Sequence, residues 1–90
     1  MSQAVADPEE LEAFARELQQ FNAQLRDSVS RLNSRFGRLG DTWRDQEHQK
    51  FAVEYQQAVR VFAHFSAAAE QQIPLLRKKS AALRQYLNSR

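Results

Sequence analysis

Apolar residues recur every three or four positions through the first forty residues, which is the spacing of one face of an α-helix. Asp7 precedes this stripe as an N-cap, Pro8 takes the first helical position, and two acids follow in the first turn. The pattern predicts a first helix over about residues 8–37. The stripe consists of Leu11, Phe14, Leu18, Phe21, Leu25, Val29, Leu32, Phe36 and Leu39.

A second stripe with the same spacing occupies the other half of the chain and predicts a second helix over about residues 42–88. Because proline lacks an N–H and its ring clashes with the carbonyl one turn back, a kink is expected at Pro74. If the first helix pairs only as far as about Ile73, the segment from Leu75 to Arg90 overhangs it. The stripe consists of Phe51, Tyr55, Ala58, Phe62, Phe65, Ala69, Ile73, Leu76, Leu83 and Leu87.

Both glycines of the chain and its single tryptophan lie in the short stretch from Gly37 to Trp43, where the first stripe ends at Leu39. Either Gly37 or Gly40 is expected to end the first helix, since glycine accepts the left-handed conformation of a C-terminal cap. Thr42 and Asp45 fit a capping box, in which the acid bonds back to the start of the helix. The sequence therefore predicts a tight turn at about residues 38–41.

These elements predict an all-α fold, namely an antiparallel two-helix hairpin that forms one domain over residues 1–90. A lone hairpin would leave much of both stripes in water, so a second hairpin is expected to cover them in a four-helix bundle dimer. Replacing Phe62 by alanine is expected to cost about 3–5 kcal/mol if the ring is fully buried. The predicted core and dimer interface comprises Leu11, Phe14, Leu18, Phe21, Leu25, Leu32, Phe51, Tyr55, Phe62 and Phe65.

Catalytic chemistry finds little support in the sequence. Cysteine is absent, so neither a disulfide nor a thiolate metal site can form. His48 and His64 are sixteen residues apart and lack the Glu-Xaa-Xaa-His spacing of metal sites in helical bundles. No catalytic triad or glycine-rich phosphate loop is present. We therefore predict a protein without catalytic residues, metal or cofactor.

The net charge is only +2, but it is unevenly distributed. The first 45 residues carry −2 and the last 45 carry +4. The basic end could complement the helix dipole in solvent, or it could meet an acidic protein or an anionic membrane. A nucleic-acid partner is not expected, because the basic residues are few and no reading motif is present. The basic tail consists of Arg77, Lys78, Lys79, Arg84 and Arg90.

The turn resembles that of the Trp-Xaa-Gly (WXG) family, which includes the early secreted antigenic target. The shared features are two arms joined at a central turn, Trp43 near the start of the second arm, Leu39 four residues before it and Phe51 eight residues after it. The turn motif consists of Leu39, Gly40, Trp43 and Asp45. It departs from the family pattern at Asp45, where glycine is expected.

The resemblance implies a small substrate of a bacterial type VII secretion system, or an adaptor associated with one. It also implies a homodimer or a heterodimer with a related hairpin, contact with a secretion ATPase or another secretion component, and a cytoplasmic location before export. Export would use a leaderless route, since the N-terminus lacks a signal peptide. The segment from Tyr86 to Arg90 matches the family's Tyr-Xaa-Xaa-Xaa-Asp/Glu export signal except for the final acid. The alternative is an intracellular helical adaptor whose basic segment docks on an acidic partner or an anionic membrane surface.

Overall fold

The computed structural model describes residues 6–89, and two long helices account for nearly all of them. α1 spans Pro8–Leu39 with 32 residues, and α2 spans Gln46–Asn88 with 43 residues. The helices run antiparallel and pack against each other in a rod of 68 × 20 × 15 Å. The predicted all-α helical hairpin is therefore confirmed.

α1 begins as the sequence predicts but ends differently. The Asp7 side chain accepts a hydrogen bond from the Glu9 N–H at 2.9 Å, and Pro8 is the first helical residue. At the other end Gly40 has φ −63°, and no residue between positions 6 and 89 has a positive φ. The expected left-handed glycine cap is therefore wrong. Instead, the Trp43 N–H donates to the Leu39 carbonyl at 2.9 Å and continues the hydrogen bonding into the loop.

α2 begins at Gln46, four residues later than predicted. The Asp45 side chain is the N-cap itself and accepts a hydrogen bond from the His48 N–H at 3.0 Å. The prediction that Thr42 is the cap and Asp45 its bonding acid is therefore wrong. Thr42 instead donates its hydroxyl proton to the Leu39 carbonyl at 3.4 Å, because the residues after Gly40 are still completing the end of α1.

Pro74 neither ends α2 nor marks the limit of pairing between the helices. α2 continues from Gln46 to Asn88 with Pro74 inside it. Beyond the proline, Arg77 donates to the Gln19 side chain at 2.7 Å, and the Ser80 hydroxyl donates to the Pro8 carbonyl at 2.8 Å. The expectation that α2 overhangs α1 from Leu75 onwards is therefore wrong, since the start of α1 lies level with Ser80.

The seam between the two helices is made mostly of small and polar residues. The Asn22 side-chain amide donates to the Ser66 carbonyl across it at 3.5 Å, while the Asn22 side-chain oxygen and the Ser66 hydroxyl find no hydrogen-bond partner among the described residues. Small side chains let the two backbones approach closely, but they bury little apolar surface. The hairpin interior is therefore thin. The seam residues are Ala15, Asn22, Ser66, Ala69 and Ser80, each at most 8% exposed.

Enlarging the seam tests this packing. Ala15 is fully buried, so a leucine there must push the helices apart. We expect Ala15→Leu to lower the free energy of unfolding by about 1–3 kcal/mol in urea denaturation followed by circular dichroism. Ala23→Leu is the control, because Ala23 is exposed on the same helix and gains the same atoms. Equal losses in the two variants would contradict the seam described here.

Candidate protein-interaction surface

Most of the bulky apolar side chains lie outside the seam, on one side of the hairpin. On α1 the buried residues Ala15 and Asn22 each directly follow a phenylalanine in the sequence. Consecutive residues are about 100° apart around a helix, so the buried side of α1 is rotated by that angle from the side that carries Phe14 and Phe21. Seven residues, each 38–57% exposed, form what we name the aromatic face. They are Phe14, Phe21, Leu32, Leu39, Phe51, Phe62 and Phe65.

Contacts between the helices place their bulky residues on the same side. The rings of Phe21 and Phe65 meet edge to face at 5.8 Å near the middle of the hairpin. Towards the turn, Leu32 and Leu39 line an open groove together with Phe51. On each helix the residues of the face are separated by three, seven or eleven positions, which are spacings close to whole helical turns. The aromatic face is therefore built by both helices, with Phe62 at its edge, where its side chain also lines a groove with Leu25 and Ser66.

The residues predicted for the dimer interface divide into two groups in the single chain. Leu11, Leu18, Leu25 and Tyr55 are half-buried, and the other six belong to the aromatic face. Phe62 is 38% exposed, so the full cost expected from Phe62→Ala requires a partner that covers the ring. Their role as a dimer interface stays a prediction.

The closed end of the hairpin is filled by aromatic rings. Phe36 stacks on Tyr55 with ring centroids 4.4 Å apart and on His48 at 5.4 Å. Trp43 is half-buried and meets the His48 ring edge to face at 4.9 Å, with Phe51 beyond at 6.2 Å. Such offset and edge-to-face pairs contribute beyond the area they bury. Trp43 thus helps to close the end of the hairpin.

His48 is also part of this cluster, a packing role that was not predicted. Its ring lies between Phe36 and Trp43, and a Cβ at Gly40 would lie 3.8 Å from its Nε2 atom. This is an ordinary van der Waals distance, so the ring lies close beside the turn at Gly40. The sequence signal for this packing is that His48 lies three residues after the N-cap Asp45 and close to Trp43 and Phe51.

Asp45 explains the departure from the WXG pattern in physical terms. It follows Trp43 by two residues, so the motif's third residue is the N-cap of α2. Aspartate and glycine are both accepted at an N-cap, because aspartate bonds to the free N–H groups and glycine leaves them open to water. An Asp in place of the Gly therefore keeps the function of the position in the fold.

The basic tail remains largely exposed. Arg77 bonds to Gln19, whereas Lys78, Lys79 and Arg84 take part in no salt bridge between described residues. Arg90 lies outside the described residues. Leu75 and Tyr86 are also strongly exposed in this segment. The end of α2 thus presents positive charge beside apolar side chains.

Between residues 6 and 89, no three histidine or acidic side chains gather in a way that could hold a metal ion. Neither helix has a stretch that is both long and apolar enough to cross a membrane.

A family model described as "Proteins of 100 residues with WXG" matches residues 3–86. The chain therefore belongs to the WXG100 family. Proteins of this family are small and helical, are associated with type VII secretion and commonly form dimers with related partners. No curated protein matches the chain.

Replacing the cap at Asp45 tests its role. We expect Asp45→Ala to lower the free energy of unfolding by about 1 kcal/mol, and Asp45→Gly by only a few tenths, measured by urea denaturation. Asp41→Ala is the control, because this exposed side chain caps neither helix. If Asp45→Gly lowers the free energy of unfolding as much as Asp45→Ala does, the N-cap role does not explain why aspartate can replace the glycine of the WXG pattern at this position.

Proposed function

We propose that the chain is a non-enzymatic protein-interaction module of a type VII secretion system, either a small secreted substrate or an adaptor associated with secretion. Membership of the WXG100 family supports the secretion context. The observation that carries the interaction role is the aromatic face, where seven bulky apolar side chains remain well exposed in the single chain.

The surface area of the chain supports a partner. The hairpin exposes 7347 Å², whereas a compact monomer of 10.5 kDa exposes about 5,400 Å². Standard interfaces between two proteins bury about 800 Å² on each partner. The difference between these two areas is larger than the area that an interface of ordinary size would cover on the hairpin. The aromatic face is the most apolar part of the exposed surface.

A second hairpin is the partner whose shape fits this face best. Two hairpins laid face to face give each helix two neighbours and form a four-helix bundle with the bulky side chains inside. Small seam residues and large face residues would then fill complementary positions of one core. We propose a homodimer or a heterodimer with a related hairpin as the working unit, formed in the cytoplasm before export.

Export would require recognition by a secretion ATPase or another secretion component. The segment from Tyr86 to Arg90 lacks the acid of the family's export signal. If the partner hairpin carries a complete signal, the pair can be exported together. A chain with the incomplete signal would then be a substrate only as part of that pair, or would remain inside as an adaptor.

The secretion proposal is tested in the native host. We expect the amount of this chain or of other type VII substrates in the medium to depend on the secretion ATPase and to fall in a Phe65→Asp variant, because the charge prevents the face from being covered. Val53→Asp is the control, since Val53 is 60% exposed on the same helix but lies about 120° around it from Phe65. Export that is unchanged without the ATPase would contradict the proposal.

A second candidate function follows from the basic end of α2. Lys78 and Lys79 lie near the exposed Leu75 and Tyr86, a combination that suits an acidic protein or an anionic membrane surface. This would make the chain an intracellular adaptor.

Vesicle binding separates the two candidates. Under the secretion proposal we expect no more binding to phosphatidylserine vesicles than to phosphatidylcholine vesicles in a flotation assay. Binding that needs the anionic lipid, fades with salt and is lost in Lys78→Glu/Lys79→Glu would favour the membrane role. Arg38→Glu/Arg60→Glu is the control for net charge, because it lowers the charge equally at two exposed sites far from the basic end of α2.

A further inference from the structure

A groove lies between the two helices on the flank of the hairpin opposite the aromatic face. Ser30 lines this groove and follows Phe21 by nine residues, which places it half a turn around α1 from the phenylalanine. On α2 the groove is lined by Ala63 and Ala67, each two residues from Phe65 and therefore about 160° around the helix from it. A partner that covers the aromatic face would therefore leave the groove open.

Two hydrogen bonds between the helices bound the groove along its length. At one end Arg26 donates to the Glu70 carboxylate at 3.3 Å, and at the other the Tyr55 hydroxyl donates to the Asn33 side-chain oxygen. Arg26 and Asn33 are seven residues apart, which corresponds to about 10 Å along α1. The groove has a volume of about 430 Å³, which is within the range of sites for small molecules. A third helix would be too long for it.

The floor of the groove is apolar and its charges are already paired. Leu25, Val29 and Val59 line it and are half-buried. Among the described residues that line it, the charged ones are Arg26 and Glu70, which form a salt bridge with each other. An ion in the groove would lose hydration without gaining a free counter-charge. The groove therefore suits a neutral ligand with an apolar body.

One buried polar group in the groove has no hydrogen-bond partner. Ser66 lines the groove and is 8% exposed, and its hydroxyl bonds to no described residue. Beside it in the seam, the side-chain oxygen of Asn22 also has no partner, although Asn22 is only 5% exposed. A buried polar group without a partner is costly. A ligand hydroxyl both donates and accepts, so it is suited to supply the missing bond.

We infer that this groove binds a small neutral molecule that has an apolar ring or chain and a hydroxyl group, and that the hydroxyl bonds to Ser66. The apolar floor holds the body of the ligand, and the bonds at the two ends limit its length to about 10 Å. The inference goes beyond the proposed function, because the groove is separate from the aromatic face. A ligand can occupy it in the single hairpin and in an assembled pair.

Titration of the isotope-labelled full chain with benzyl alcohol, followed by nuclear magnetic resonance, tests the site. This probe combines an apolar ring with a hydroxyl. We expect saturable shifts of the backbone amide signals that centre on Ser30, Ala63 and Ser66. Ala63→Leu should abolish them, because the larger side chain fills the groove. Ala82→Leu is the matched control, since Ala82 is exposed on the same helix about 28 Å from Ala63.

A second variant tests the bond to the hydroxyl. We expect Ser66→Ala to weaken the binding of benzyl alcohol about two- to tenfold, the range for one neutral hydrogen bond. The binding of toluene, which has the same ring without the hydroxyl, should not weaken. Ser28→Ala is the control, because Ser28 is an exposed serine outside the groove. Since the Ser66 hydroxyl has no partner, Ser66→Ala should unfold at no lower urea concentration than the unaltered chain.

Three results would overturn the inference. Shifts that grow without saturation, or that centre on Leu32 and Phe51 of the aromatic face, would show that the groove is not the site and would leave a side chain of a protein partner as its occupant. Equal binding of benzyl alcohol by Ser66→Ala and the unaltered chain would exclude the bond to the hydroxyl. Benzoate that binds more tightly than benzyl alcohol would exclude a neutral ligand. None of these results depends on secretion, so they are distinct from failure of the proposed function.

Discussion

The thin seam between α1 and α2 is the constraint on which the rest of the structure depends. Ala15, Asn22, Ser66 and Ser80 allow the helices to lie close together, but they contribute little apolar burial to the interior. The phenylalanines that could have filled an interior lie around one side of the rod instead. A chain of this size has few other ways to gain stability. The packing that forms the hairpin therefore also determines which side chains form its binding surface.

The closed end of the hairpin shows how this arrangement is held in register. The Asp45 cap sets where α2 begins, and the Trp43 N–H bond to the Leu39 carbonyl sets how the chain leaves α1. Stacking of Phe36, His48 and Tyr55 then joins the two helices beside the turn. At the open end, the bond from Ser80 to Pro8 aligns the helices again. The aromatic face lies between these two fixed ends.

The sequence predicted the helices well because apolar periodicity and capping residues are local signals. Asp7 and Pro8 identified the start of α1 for this reason. The loop was less predictable, since Thr42 and Asp45 both suit an N-cap and only the bonds that end α1 decide between them. The sequence also could not show that Pro74 stays within a paired helix, because the extent of pairing depends on the register of the two helices.

The side of α1 that faces α2 was the main feature that the apolar pattern alone did not specify. A stripe of large residues normally predicts the inner face, yet Ala15 and Asn22, one position further along from Phe14 and Phe21, are the buried residues. In a four-helix bundle each helix has two inner sides, and a single chain displays one of them to solvent. The positions of the bulky residues are therefore consistent with an assembly larger than the single hairpin.

Small-angle X-ray scattering of the unaltered chain tests this account most directly, because one experiment gives both mass and length. We expect a particle of twice 10.5 kDa whose longest dimension stays near 68 Å, because two hairpins then pack side by side. A particle of 10.5 kDa with a radius of gyration of 20.1 Å would contradict self-pairing, since the hairpin would then be stable alone with its aromatic face in water.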